Sequence, residues 1–291
     1  KNSGYSRELA MISWFGRVNY DYAGKYLFEA NIRADASSRF AKGHRWGYFP
    51  SFSAAWRISE EAFMEEAVGW LTDLKIRGSY GNLGNQSALS DFYPWMNSYD
   101  LDAHYSLNGS LQTGYHQKNY KIATISWEKA RTWGVGIDAT LFGKLTVGLD
   151  YYDRKTTGII MDVPVPAEFG LGAYKDNVGA MVNRGVELTL NYNESWDDWL
   201  FGVSANLAYN KNKVLYLDGV QSLADGDLKV KQVGAAYGTY RLYKTEGFFQ
   251  SDTEAKAWQD KHKNDPGYPF KKNFKAGDLI YSDANGDGLF N

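Results

Sequence analysis

The strongest constraint in this sequence is a two-residue period of apolar and polar side chains that recurs along most of its length. In residues 25–35, Tyr26, Phe28, Ala30, Ile32 and Ala34 take one face. Lys25, Glu29, Asn31, Arg33 and Asp35 take the other, and only Leu27 is out of place. The same alternation runs through 12–20, 48–56, 74–80, 133–141, 145–151, 186–192 and 199–209. Successive side chains of a strand point to opposite faces, whereas a helix repeats about every 3.6 residues, a spacing these segments lack. The chain therefore reads as all-β. Tight connections such as Tyr22-Ala23-Gly24-Lys25 and Phe142-Gly143-Lys144 make the strands antiparallel neighbours.

One apolar face has two physical explanations. In a soluble sandwich it points into a shared core; in an outer-membrane barrel it points at lipid and the polar face lines the lumen. Three features favour the barrel. The connections alternate short and long, the long ones being 37–47, 83–126, 158–179 and 215–235. One connection on the short side is longer, and residues 59–73 are expected to hold a small amphipathic helix. Tyr20, Tyr22, Tyr26, Phe28, Trp56, Phe142, Tyr192, Trp196, Trp199 and Phe201 all map to the short-turn rim, as in an aromatic girdle, although ordinary cross-strand pairing would also place rings there. The strands are also long, and no charge falls on the outer face of 25–35. This registration puts Glu29, Arg33, Lys75, Arg77, Asp138 and Asp150 inward, and Phe28, Ile32, Ile76, Ile137 and Leu149 toward lipid.

Composition excludes several classes. Among 291 residues, 32 Lys and Arg against 34 Asp and Glu leave a formal charge of −2 and no electrostatic case for nucleic acid. With no Cys there is no disulfide scaffold, Cys-ligated zinc or thiol nucleophile. No segment approaches the ~20 apolar residues of a spanning helix. The first residues, Lys1-Asn2-Ser3-Gly4-Tyr5, carry no signal-peptide pattern, as a mature or cut chain also would not. His44, His104, His116 and His262 fall in expected loops without metal spacing, and the chain has no hydrolase or phosphate-loop motif, so it is not expected to be an enzyme.

Several segments resemble one family, the SusC/RagA-like TonB-dependent outer-membrane transporters. They are Arg33-Ala34-Asp35-Ala36-Ser37-Ser38-Arg39-Phe40, Arg45-Trp46-Gly47-Tyr48-Phe49-Pro50-Ser51 and Ala55-Trp56-Arg57-Ile58-Ser59-Glu60-Glu61. Leu74-Lys75-Ile76-Arg77-Gly78-Ser79-Tyr80-Gly81 with Gly84-Asn85-Gln86, Trp127-Glu128 and Asp150-Tyr151-Tyr152-Asp153-Arg154 follow in family order. Asn183-Arg184-Gly185-Val186-Glu187 and, near the end, Asp283-Ala284-Asn285-Gly286-Asp287-Gly288 complete the series. The resemblance implies an antiparallel up-and-down transmembrane β-barrel of about 22 strands with an N-terminal plug. It further implies a SusD-like surface lipoprotein on the long-loop rim, energy from a TonB-ExbB-ExbD complex through the N-terminal part, and contact with outer-membrane lipid. The cargo would be an oligosaccharide or peptide. On this reading residues 1–291 hold roughly ten strands, about half of one barrel domain, and the plug and C-terminal strands lie elsewhere. The competing reading is a soluble secreted carbohydrate-binding or hydrolytic β-domain.

Two candidate sites stand out. Tyr93, Trp95, Tyr99, Tyr105 and Tyr115 in the longest loop offer ring faces that stack on sugars or grip peptides, or that simply pack the loop. Asp283, Asn285 and Asp287 sit at positions 1, 3 and 5 of a calcium-type loop with Gly288 at position 6, where an Asx/Gly turn is an equal reading. Apart from Ca²⁺ there, no cofactor is implied.

Overall fold

The computed structural model describes residues 4, 6–67, 69–117, 119–218, 222–224, 228–265, 268 and 273–284. They fall into two compact units, residues 1–223 with 232–237 and residues 224–231 with 238–291.

The first unit is built on an eight-stranded antiparallel sheet. Its strands are β1 (Met11–Tyr22), β2 (Tyr26–Ser37), β3 (Trp46–Arg57), β4 (Leu71–Asn85), β7 (Glu128–Leu141), β8 (Leu145–Val163), β9 (Tyr174–Trp196) and β10 (Trp199–Leu217). Spatial order is β1-β2-β3-β4-β7-β8-β9-β10, so each strand lies beside its sequence neighbour and only the β5 (Tyr99–Leu107) and β6 (Ser110–Gln117) hairpin is skipped. The main sheet thus holds eight strands where roughly ten are expected in the chain, and the other, shorter strands form separate small sheets, this hairpin among them.

Turn chemistry fixes the short rim. Ala23 and Gly24, and likewise Phe142 and Gly143, take positive φ, and the N–H of Lys25 and of Lys144 closes each turn onto the carbonyls of Tyr22 and Leu141 at 3.0 Å. Paired positive φ matches the twist of the flanking strands, which is why such hairpins can be this short. The expected helix of 59–73 is instead two 3₁₀ segments, Ile58–Glu60 and Ala62–Ala67.

At the other rim the strands outgrow their expected limits. β8 and β9 remain paired to Val163 and Tyr174, so the expected 158–179 loop is mostly a protruding hairpin with irregularities at Thr157/Ile159 and Ile159/Ile160. The β3–β4 ladder instead stops at Ser51↔Gly81, next to Pro50, which has no N–H to give it. Into this opening the Phe49 ring inserts. It joins Phe40, Leu89, Ile125, Trp127 and Ile160 in a buried cluster, and a second cluster joins Met161, Val178, Val214 and Leu217. The first unit's apolar cores therefore sit at the long-loop end, whereas the apolar face of the sheet stays uncovered: Trp14 is 69% exposed, Leu207 68% and Val203 53%. A soluble domain rarely leaves a patch of that extent bare.

The second unit holds β12 (Lys229–Gln232) and β13 (Thr239–Tyr240), paired Lys229↔Tyr240, after the short β11 (Ser222–Ala224). It also contains β14 (Lys244–Phe248), α1 (Asp252–His262) and β15 (Leu279–Ser282). Ser251 caps α1 by accepting from the Glu254 N–H at 3.2 Å, while Glu254 accepts from the Gln250 N–H at 2.7 Å. Phe249, Ala255 and Phe274 form its core with Trp258, Tyr268 and Tyr281 against them. Sequence periodicity alone does not reveal this helix. Among the described residues no helix is long and apolar enough to cross a membrane.

Gly84 and Gly47 make room for Phe49: a Cβ at either would lie 2.1 or 2.4 Å from its Cζ. Gly84→Ala should cost about 1–3 kcal/mol by overpacking. Adding Phe49→Leu should recover part of that loss. The thermal midpoints of the full-length single and double variants measure the coupling.

Candidate functional site

Register brings the charged residues of the sheet into rows on one face. Arg77, Gly136, Asp150 and Glu187 lie side by side across β4, β7, β8 and β9, with Lys75 and Asp138 one step nearer the short turns. The Arg77 guanidinium donates from Nε and one terminal nitrogen to Asp138 at 3.0 and 3.2 Å, and from the same terminal nitrogen to Asp150 at 2.7 Å. Lys75 Nζ reaches Asp138 at 3.0 Å. Gly136 is what lets these groups meet, since a Cβ there would stand 2.5 Å from an Asp150 oxygen and 2.8 Å from Arg77 Cζ. Farther along the same face Arg17 donates to Asn31 at 2.7 Å, Asn31 to Glu29 at 2.7 Å, and Arg33 to Asp35 at 2.7 Å.

These side chains border two adjoining hollows of about 1130 and 860 Å³, which share Glu29, Ser53, Ser79 and Thr132 in their walls. The walls combine paired charges and small hydroxyls with apolar side chains such as Phe15, Phe49 and Leu83, and so present both hydrogen-bond partners and apolar contacts. They suit a wet passage for polar solutes rather than a single tight pocket.

The opposite face carries the residues expected to meet lipid. Ile76, Ile137, Leu149, Leu188 and Leu207 form one row, and Val135, Tyr151, Val186 and Tyr209 the next. The inward and outward sets named from sequence therefore segregate to opposite faces.

At the short rim Tyr26 stacks on Trp56 with centroids 6.3 Å apart, and Trp196 lies 6.2 Å from Phe201. Glu61 ties that rim together, accepting from the Tyr26 hydroxyl at 2.7 Å, the Trp56 indole N–H at 3.0 Å and the Lys25 ammonium at 3.3 Å. The hydrogen bond from Tyr26, then that from Trp56, hold its carboxyl below the usual carboxylate range. In the Phe142–Lys144 turn, Lys144 bonds Glu194 at 2.6 Å, which pushes the ammonium above its ordinary value.

The aromatic residues singled out in the longest loop do not form one site. Tyr99 and Tyr115 meet edge to face at 6.0 Å on the exposed β5–β6 hairpin, and Tyr105 lies near its tip. Trp95 packs against the Phe40–Trp127 cluster, and Tyr93 uses its backbone carbonyl to accept from Lys121 at 3.0 Å. His104 and His116 lie on this hairpin rather than in loops, and His262 ends α1. Asn285 and Asp287 of the calcium-type loop lie outside the described residues. Among the described residues no group of three His, Asp or Glu is placed to hold a metal ion.

Sequence reading passed over two side chains that organise the long-loop rim. Asn177 donates to the carbonyls of Ser126 and Gly158 at 2.9 and 2.7 Å and accepts from the Ser126 N–H at 2.8 Å. Buried Glu128 accepts from the Ile160 N–H at 2.8 Å and from the Asn85 amide at 2.6 Å. Both are loop locks whose partners come from distant sequence.

A long-stranded antiparallel sheet with paired charges on one face, a broad bare apolar band on the other and a ring-lined short rim has the pattern of a membrane β-barrel wall. Residues 2–286 match the family described as TonB dependent receptor-like, beta-barrel, and the chain belongs to that outer-membrane family. The chain is 34% identical over 283 residues to TonB-dependent receptor P26 of Formosa agariphila, covering 95% of this chain and 28% of that protein. It is 34% identical over 224 residues to TonB-dependent receptor SusC of Bacteroides thetaiotaomicron, covering 75% and 22%. In structure it is similar to the RagAB peptide transporter, with TM-score 0.74 and 26% identity over 84% of this chain and 27% of that one. The chain thus spans just over a quarter of the length of P26. Membership sets it among the barrels of outer-membrane TonB-dependent receptors.

A carboxyl with a lowered folded-state pKa stabilises above its unfolded pKa and loses that contribution as pH falls through the folded one. The thermal midpoint of the full-length protein should therefore exceed that of Glu61→Gln most at neutral pH. The margin should shrink on acidification, and a constant margin down to about pH 3 would exclude the Glu61 clamp as its source.

Proposed function

We propose that this chain is part of the wall of a single TonB-dependent receptor barrel that imports large polar nutrients, oligosaccharides or peptides, across the outer membrane. The observation that carries this reading is the division of one continuous sheet into a charged, hydrogen-bonded face and a bare apolar face with aromatic edges. Such a sheet is viable only where lipid covers one side and water the other.

On this reading the eight strands contribute to a closed barrel of about 22, with the remaining strands and the plug supplied by parts of the protein outside this span. Energy comes from a TonB-ExbB-ExbD complex acting through the plug-side N-terminal part. A SusD-like lipoprotein sits on the long-loop rim, where the Asn177 and Glu128 locks hold the loops in a defined shape. The exposed ring pair Tyr99 and Tyr115, with Tyr105 on the same hairpin, is the part of the aromatic set best placed to touch cargo or that lipoprotein. Trp95, packed into the loop core, and Tyr93 would support the loop instead. If the Asp283, Asn285 and Asp287 loop takes Ca²⁺, it would stiffen the chain locally. The resemblance to SusC and to a peptide transporter supports oligosaccharide or peptide cargo.

Cysteine substitutions in the full-length protein test the sidedness. A Cys at Ile137, Leu149 or Leu207 should react with a lipid-soluble maleimide and resist a water-soluble one. A Cys at Arg33, Lys75 or Asp150 should show the reverse. Equal labelling of the two sets by the aqueous reagent, together with release of the protein without detergent, would favour the secreted β-domain instead.

A further inference from the structure

On the outer face the apolar rows give way abruptly to positive charge. Above the Val135–Tyr151–Val186–Tyr209 row, the next row reads Tyr80, Trp133, Asp153, Arg184, Lys211, and the one after it Asn82, Arg131, Lys155, Val182, Lys213. Lys129 follows on the same face of β7. Asp153 is the one carboxylate in these rows, and it is buried against Arg184 at 2.6 Å. Among the described residues no carboxylate lies within ion-pair distance of Lys129, Arg131, Lys155, Lys211 or Lys213.

Arg131 stands directly opposite Lys155, and Arg184 opposite Lys211. Like charges opposed across an antiparallel pair destabilise it unless an anion sits between them. Lys129, Arg131 and Lys155 also line a hollow of about 290 Å³ with Tyr48, Asn82 and Thr157. The belt begins level with Tyr80 and Trp133, one row above Tyr151 and Tyr209, so rings and basic side chains share the edge of the apolar band. From Trp199 to Tyr209 that band covers eleven residues of β10, ten steps or about 33 Å of strand and roughly 25 Å of depth at a tilt near 40°. That is the level of lipid headgroups on the long-loop side.

We propose that this belt is a binding site for the phosphate groups of an anionic lipid of the outer leaflet, whose acyl chains rest on the apolar rows below. Continuity with the lipid-facing band selects a membrane lipid over a soluble anion or a protein, because the lipoprotein partner sits over the barrel mouth and not along its flank. The proposal rests on the reading of this face as lipid-facing.

The test uses the full-length protein purified from outer membranes in non-ionic detergent, with native mass spectrometry of added diphosphoryl lipid A, phosphatidylethanolamine or inorganic phosphate. Combined Arg131→Gln, Lys155→Gln and Lys213→Gln should reduce retention of diphosphoryl lipid A at least about tenfold and leave phosphatidylethanolamine unchanged. Arg154→Gln, adjacent in sequence but on the inner face, should alter neither. Undiminished lipid A retention in the triple variant, an equal loss in Arg154→Gln, or displacement of lipid A by equimolar inorganic phosphate would each overturn the proposal. Should the triple variant not fold, wild-type protein still decides the matter. Rising ionic strength must weaken retention of lipid A but not of phosphatidylethanolamine, and insensitivity to salt overturns the site. Heat-dependent migration on gels reports barrel insertion separately, so a failure of the barrel reading is distinguished from a failure of the lipid site.

Discussion

Everything in the main sheet depends on the continuity of its backbone hydrogen-bond ladder. In lipid an unpaired N–H or C=O has no water to turn to, so register along a spanning strand is held by the whole length of the ladder. A slip of one residue would carry Arg77, Asp138 and Asp150 into the bilayer and bring Ile76, Ile137 and Leu149 into the lumen. The side chains reinforce what the backbone imposes. The Arg77 guanidinium spans three strands to reach both aspartates, and Gly136 leaves room for it only in the observed register. Across the sheet, Ile76, Ile137, Leu149, Leu188 and Leu207 form a level row only in that same alignment.

How far the sequence reveals this depends on whether the two faces see different solvents. Where one face meets lipid and the other water, selection writes the contrast into every second residue. The strands, their faces and the short turns can then be read directly. Above the membrane both faces are wet, the alternation fades, and β8 and β9 continue to Val163 and Tyr174 without a periodic signal. The same loss of contrast hides the β5–β6 hairpin within 83–126. Helix α1 leaves a different trace, the Ser251–Glu254 capping pattern, but its apolar contacts come from a core of aromatic residues spread over distant sequence, which periodicity cannot register. Tyr80, Trp133, Tyr151 and Tyr209 sit mid-strand, so their alignment into an edge of the apolar band appears only once four ladders are in register.

The two rims solve opposite problems. The short-turn rim needs only to join strands and anchor them at an interface. It does so with left-handed turn residues, stacked rings and the Glu61 clamp, all drawn from residues close in sequence or on adjacent strands. The long-loop rim must hold extended segments in shape beyond the reach of the sheet, and it acquires the apolar cores that the sheet itself lacks. Phe49 shows how the two regimes meet. It belongs by position to a membrane strand, yet the ladder ends beside Pro50 and the ring turns into the gap to join Trp127 and Phe40.

The unequal placing of charge follows from the same geometry. On the inner face Lys75 and Arg77 share Asp138, Arg77 also reaches Asp150, and Arg33 binds Asp35. Such pairs hold one another in place, so this part of the face keeps its shape without an outside ion. On the outer face the belt from Lys129 to Lys213 lacks such partners, although opposed cations are the costliest arrangement an antiparallel pair can adopt. The two faces meet on adjoining residues: Arg154 faces inward beside Lys155 facing outward, and Asn212 faces inward beside Lys211 and Lys213. Backbone conformation is shared between such neighbours, so the opposed cations of the belt are a matter of side-chain identity alone, and an anionic lipid phosphate would supply the counter-charge that the sheet does not.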